Sequence, residues 1–124
     1  MLKKVVLVAI CLAFGVGLFV LLSRIAGAAP TGNRAAGLDV HKANCAKCHG
    51  AGGKGDGPAG KLLKTKPADW TDKAKMSKMS DSDLFRVIKE GGGAVGKSKL
   101  MPAWKDKLSD GQINDVIAFI RSLS

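Results

Sequence analysis

The sequence predicts an all-α fold of four to five short helices, preceded by an N-terminal apolar helix. Three observations carry this. No stretch alternates polar and apolar residues as a half-buried strand would. Two segments towards the C-terminus repeat apolar residues at helical spacing, each behind a serine capping pair, Ser80 with Asp83 and Ser109 with Gln112. The chain is one domain at most at 124 residues, and its four Phe, two Trp and no Tyr leave few large groups to fill a core.

The missing core volume has an obvious source. Cys45-Ala46-Lys47-Cys48-His49 places two cysteines two residues apart with a histidine directly after the second. That is the attachment pattern of a c-type haem. One helical turn lets each thiol add to one vinyl group as a thioether. His49 then comes under the iron as an axial ligand. A covalent haem, one per chain, is therefore the expected cofactor, and Cys45, Cys48 and His49 its expected holders. A zinc site is the weaker reading, because C-x-x-C-H gives three ligands and no fourth thiol or suitably placed histidine closes the set.

Upstream of this motif, Lys3-Lys4 precedes an uncharged run from Val5 to Leu22, and Ala26-Gly27-Ala28 follows. A basic start, an apolar middle and a small-residue site are the parts of a secretory signal, with the cut expected after Ala28. The run is also long enough for a short membrane span. Residues 1–28 thus read as a signal peptide or an uncleaved membrane anchor, 29–36 as a linker and 37–124 as the haem domain. Either outcome exports the domain, to the periplasm or an equivalent compartment, as a soluble protein or tethered to the membrane. Cys11 lies within the apolar run and reads as a buried apolar cysteine; Ile10 before it is too large for a lipoprotein signal.

Ala35 to Asn44 reads as a helix entering the motif, with Gly37, Leu38, His41 and Cys45 on one face. Glycine inside a helix costs up to about 1 kcal/mol against alanine, which points to close approach of another helix. His41 reads as a packing or surface residue, not an iron ligand. The run Gly50 to Gly60 contains a literal G-x-G-x-x-G, but no strand precedes it, so a dinucleotide site is not expected. It reads as a tight loop against the haem edge, with the Pro58 carbonyl as the expected acceptor for the second nitrogen of His49. Lys61 to Lys64 reads as one helical turn. Thr71 or Asp72 starts a short helix, and Trp70 before it reaches a haem propionate or caps the core. The next helix carries Leu84, Val87 and Ile88 and stops at Gly91-Gly92-Gly93. The last carries Ile113, Val116, Ile117, Ile120 and Leu123, with Phe119 beside them.

Three methionines are available as a second iron ligand: Met76, Met79 and Met101. Met76 and Met79 stand at a helix entry, where methionine is more often packing. Met101 lies in a loop whose backbone Pro102 fixes, so residue reasoning favours it modestly.

In these features the chain resembles the class I monohaem cytochromes c of the bacterial, cytochrome c6-like type, over roughly Gly37 to Leu123. The matching residues are Gly37, Cys45-Cys48-His49, Gly55-Asp56-Gly57-Pro58, Leu84-Phe85, Gly91-Gly92, Met101-Pro102 and Phe119. The resemblance implies the small cytochrome c fold around one haem c, with His49 and Met101 as axial ligands. It also implies that Gly37 lets the first helix cross the last near Phe119. One departure is visible: the family usually has Phe or Tyr where this chain has His41. That exchange weakens the aromatic contact at the crossing and adds a titratable group there.

With both axial sites filled, no open position remains for a substrate, so the expected role is electron transfer between redox partners and not enzymatic turnover. The alternatives are a haem subunit or electron-entry module of a larger oxidase or dehydrogenase and, less, a haem-based ligand sensor or peroxidase. Net charge is +10, and losing Lys3, Lys4 and Arg24 with the N-terminal segment takes it to +7. The cations are nearly all lysines with no arginine-rich patch, which argues against nucleic acid. They suit a redox partner with an acidic docking face. The haem domain is expected to be a monomer, with membrane contact only through residues 1–28.

Overall fold

A computed structural model describes residues 31–124. The expected signal or anchor, its apolar helix and Cys11 lie outside the described residues. Among the described residues there is no strand, as the absence of alternation predicted. Five α-helices follow in order: α1 Arg34–Asn44, α2 Ala46–His49, α3 Lys73–Met76, α4 Asp81–Glu90 and α5 Asp110–Arg121. Two 3-10 turns intervene, Gly60–Leu62 and Gly92–Val95.

Side chains set most of the helix starts. Asn33 caps α1, its side chain accepting from the amides of Ala35 and Ala36 at 2.9 and 3.1 Å. The helix accordingly begins at Arg34, one residue before the sequence expectation. Asp72 caps α3 through the Lys75 amide. Ser80 and Ser109 close full capping boxes with Asp83 and Gln112 on α4 and α5. Each such cap is worth about 1 kcal/mol. The glycines after α4 do more than end it. Gly92 and Gly93 open the second 3-10 turn, Gly92–Val95.

The pairing of α1 with α5 is the most extensive helix contact. Gly37 makes it possible: a Cβ there would run into the Asp115 carbonyl and stand 2.9 Å from the Val116 amide nitrogen. The crossing is pinned at its edge by Asn33, whose amide donates to the Asp115 carboxylate at 2.6 Å. His41 is fully buried on the same face, 4.9 Å from the Phe119 ring centre. The family's aromatic contact is thus replaced by imidazole against phenyl.

The core is built from Ile113, Val116, Ile117 and Ile120 of α5 and Leu84, Val87 and Ile88 of α4, with Trp70, Met76 and Leu108. Full burial of each large aliphatic side chain contributes about 1.5–3 kcal/mol. Arg121 ties the end of α5 to the segment between α3 and α4. Its guanidinium donates to the Asp81 carboxylate at 2.7 Å, to the Met76 carbonyl at 2.9 Å and to the Met79 carbonyl.

Candidate haem site

Between these elements lies a cavity of about 380 Å³. Its size is within the usual range for cofactor pockets. Leu63, Leu84, Val87, Ile88, Val116 and Ile120 line it. Cys45, Cys48 and His49 border it from α2, and Met101 and Pro102 from the loop after the second 3-10 turn. The four residues singled out in the sequence as haem holders thus meet at one apolar cavity. Met76 and Met79 border it too, so proximity alone does not choose among the methionines.

The backbone of α2 is braced from outside by the glycine loop. Amides of Gly55, Gly57 and Ala59 donate to the carbonyls of His49, Cys48 and Lys47 at 2.8, 3.2 and 3.0 Å. Gly57 sits so close that a Cβ would stand 2.6 Å from the Ala46 carbonyl oxygen. The expectation that this loop folds against the haem edge is corrected. Its residues do not line the cavity; the first lining residue after His49 is Leu63. The unpaired carbonyls at the end of a four-residue helix need donors, and the loop supplies them. A phosphate-binding role is excluded by the same amides, which already point at α2.

Cys45 and Cys48 are each half-buried and are not joined in a disulfide. Burial pushes the Cys45 thiol up to about 11, with Cys48 adding to the shift. His49 is held neutral, its pKa lowered to about 4 mainly by burial. Its Nδ1 is sealed with no hydrogen-bond partner, and the residue borders the cavity. A neutral imidazole with a free Nε2 is what iron ligation requires. The carbonyl beside this ring belongs to Ala68, without full hydrogen-bond geometry, and not to Pro58 as the sequence reading expected. The reason is the path of the chain: Pro67 and Ala68 lie across Gly55 and bring their carbonyls under the motif.

Trp70 is buried in the core and also borders the cavity, with a further feature that the sequence did not signal. Its indole stacks on His49, centroids 4.2 Å apart and planes 19° from parallel. The Met101 loop is held by glycine backbone that the sequence reading assigned only to helix termination. The Gly92 amide donates to the Met101 carbonyl at 3.0 Å, and the Lys97 amide to the Gly92 carbonyl at 2.8 Å.

An apolar cavity bordered by two cysteines and a neutral histidine fits a covalent haem. Comparison with known proteins agrees. The family described as cytochrome c oxidase, cbb3-type, subunit III matches residues 32–120. Cytochrome c6 of Bryopsis maxima is 32% identical over 84 residues, covering 68% of this chain and 84% of that protein. This chain belongs to the class I monohaem c-type cytochromes. Its cofactor is covalently bound haem c, and its work is electron transfer. The cytochrome is also similar to the cbb3-type oxidase subunit FixP of Azorhizobium caulinodans, 32% identical over 101 residues. That match covers 80% of this chain but only 31% of FixP. In fold it matches the KustC0563 c-type cytochrome with a TM-score of 0.59 at 23% identity, over 71% of this chain and 96% of that one. A chain of the Kuenenia stuttgartiensis reducing HAO-like protein complex gives a TM-score of 0.61 at 27% identity, over 77% and 44%.

Proposed function

We propose that this cytochrome is a one-electron carrier without a substrate of its own. In this reading Cys45 and Cys48 hold the haem by thioethers, and His49 and Met101 are its axial ligands. The observation that carries the reading is the convergence of these four residues on one apolar cavity. When bound, the haem supplies the ferric–ferrous couple. The chain's part is to keep water out, to ligate and to present an edge. The Met101 thioether, a soft donor, favours the ferrous state and raises the potential relative to two histidines. Pro102 and the Gly92 hydrogen bond hold the Met101 backbone, so the thioether is placed by a fixed loop. Met76 is fully buried in the core and fixed at the end of α3, which suits packing better than ligation.

The docking face follows from charge. The segments 57–68 and 91–105 both border the cavity, carry Lys61, Lys64, Lys66, Lys97, Lys99 and Lys105, and contain no acid. Leu62 and Leu100 stand out from them, 86% and 65% exposed. A basic rim with two exposed leucines suits a redox partner whose surface is acidic around an apolar centre.

The decisive experiment concerns the methionines. The oxidised wild type is expected to show the far-red charge-transfer band of methionine-ligated ferric iron. Met101→Ala should abolish it, while Met76→Ala and Met79→Ala keep it. Survival of the band in Met101→Ala would overturn the ligand assignment. A five-coordinate wild type that binds CO rapidly would overturn the carrier reading.

A second reading, a haem module within a larger redox assembly, is supported by the similarity to FixP and to the HAO-like complex. Export rests on the pattern of residues 1–28. Among the described residues no helix is long and apolar enough to cross a membrane. The mass of the native protein and its partition between membrane and soluble fractions separate a cleaved carrier from an anchored module.

A further inference from the structure

Trp70 is more tightly placed than a core residue needs to be. Its indole lies almost parallel to the His49 ring at 4.2 Å. The opposite constraints come from three sides. The Trp70 amide donates to the Gly53 carbonyl at 2.8 Å. Gly53, at φ +71°, approaches so closely that a Cβ would stand 2.7 Å from the indole Cε3 and 2.8 Å from a Leu123 methyl. The buried His41 ring meets the indole edge-on, with centroids 5.5 Å apart. Trp70 itself is only 5% exposed. The indole can therefore neither slide off His49 nor turn away from it.

We propose that Trp70 is a positioning residue that sets the potential of the redox centre through His49: its π-face favours the oxidised state and fixes the plane of the ligand ring. The proposal rests on His49 being an axial ligand. An imidazole bound to ferric iron carries part of the metal's positive charge, and less of it in the ferrous state. The face of an indole is negative and attracts a cation stacked on it, most strongly when water is excluded. The contact is thus stronger in the oxidised protein, so Trp70 lowers the potential and works against Met101, which raises it. A second consequence is orientational: the orbital overlap of a planar ligand with iron depends on the ring's rotation, and the stacked indole removes that freedom.

The sign of the effect separates this role from packing. Loss of packing beside a buried redox centre admits water, which favours the more charged ferric form and lowers the potential. Loss of the stacking interaction raises it. The expected midpoint order by redox titration is therefore Trp70→Leu highest, Trp70→Phe between and wild type lowest, with the methionine band retained in all three. A lower or unchanged midpoint in Trp70→Leu overturns the proposal. Should Trp70→Leu not fold, the decision passes to fluorinated tryptophan incorporated in a Trp104→Phe background, which leaves Trp70 as the sole indole. Fluorine draws electrons from the ring and weakens the π-face with little change of shape. The fluorinated protein should titrate higher than its unfluorinated counterpart; identical midpoints would sink the idea. Failure of the ligand assignment shows itself separately. His49→Ala would then keep the low-spin spectrum, whereas a failure of the Trp70 role alone leaves His49→Ala without it.

Discussion

His41 stands where the family usually has an aromatic ring, and its two nitrogens have unequal fates. Nε2 donates to the Gly50 carbonyl at 2.9 Å, while Nδ1 is sealed from water with no partner. Protonating the ring would place a second N–H in that sealed position. Burial accordingly lowers the His41 pKa, with the Gly50 and Ala51 carbonyls opposing only in part. The folded pKa is thus below the unfolded value of 6.5. Above that value the neutral ring contributes fully to the fold. As pH falls from there through the folded pKa, the unfolded chain takes up the proton first and stability is lost. Urea unfolding of the haem-bound protein should show lower stability at pH 5 than at pH 7, and His41→Phe should reduce the difference. Asp69, Asp72 and Asp83, all lowered below 3.8 by hydrogen bonds from Thr71, Lys75 and Ser80, titrate below this window and do not confuse the reading.

At the scale of elements, the α1–α5 crossing and the Arg121 clasp hold the cavity's walls in register. Gly37→Ala puts a methyl into the Asp115 carbonyl, and the helices must part to admit it. Thermal or urea unfolding should show a loss of about 2–3 kcal/mol, at the upper end of overpacking effects. Arg121→Lys keeps the charge but removes the planar fork that serves Asp81, Met76 and Met79 together. The expected loss is about 1–2 kcal/mol, with faster amide exchange confined to residues around Met76 to Asp81. Ser109→Ala, which opens the α5 capping box, should cost about 1 kcal/mol and leave the methionine band unchanged.

For the whole molecule, charge decides encounter and the haem decides cohesion. The lysines of the rim are exposed, so their attraction for a partner is screened by salt. Stopped-flow electron transfer to an acidic partner should slow as ionic strength rises, and Lys→Gln changes at Lys97 and Lys99 should reduce that dependence. Cohesion is tested by removing the attachment points. The cavity's apolar walls, Leu84, Val87, Ile88, Val116 and Ile120 among them, face one another across the volume the haem fills. Cys45→Ala with Cys48→Ala should therefore lower the melting temperature sharply, as loss of a tightly bound native-state ligand does.

Helix content was written in local chemistry. Ser80 and Ser109 are read as caps because capping needs only neighbours along the chain, and α4 and α5 begin where those residues stand; for α3 the sequence left Thr71 or Asp72 open, and Asp72 is the cap. The haem motif was legible for the same reason, since thioether spacing is a property of five consecutive residues. Gly37 announced a close crossing, although its partner, Asp115, is far along the chain. What could not be read was every relation between distant segments. The Ala68 carbonyl beside His49, the glycine loop's amides on the α2 carbonyls and the Gly92 clamp on Met101 all depend on how loops return to a helix. The stacking of Trp70 on His49 is the sharpest case. The two are separated by a glycine-rich loop whose path no periodicity encodes, and only packing brings their rings within 4.2 Å. Cofactor, helices and candidate ligands are all legible along the chain, because each is local. The tertiary structure alone decided what surrounds the ligand ring, because that environment is assembled from residues with no regular spacing to report it.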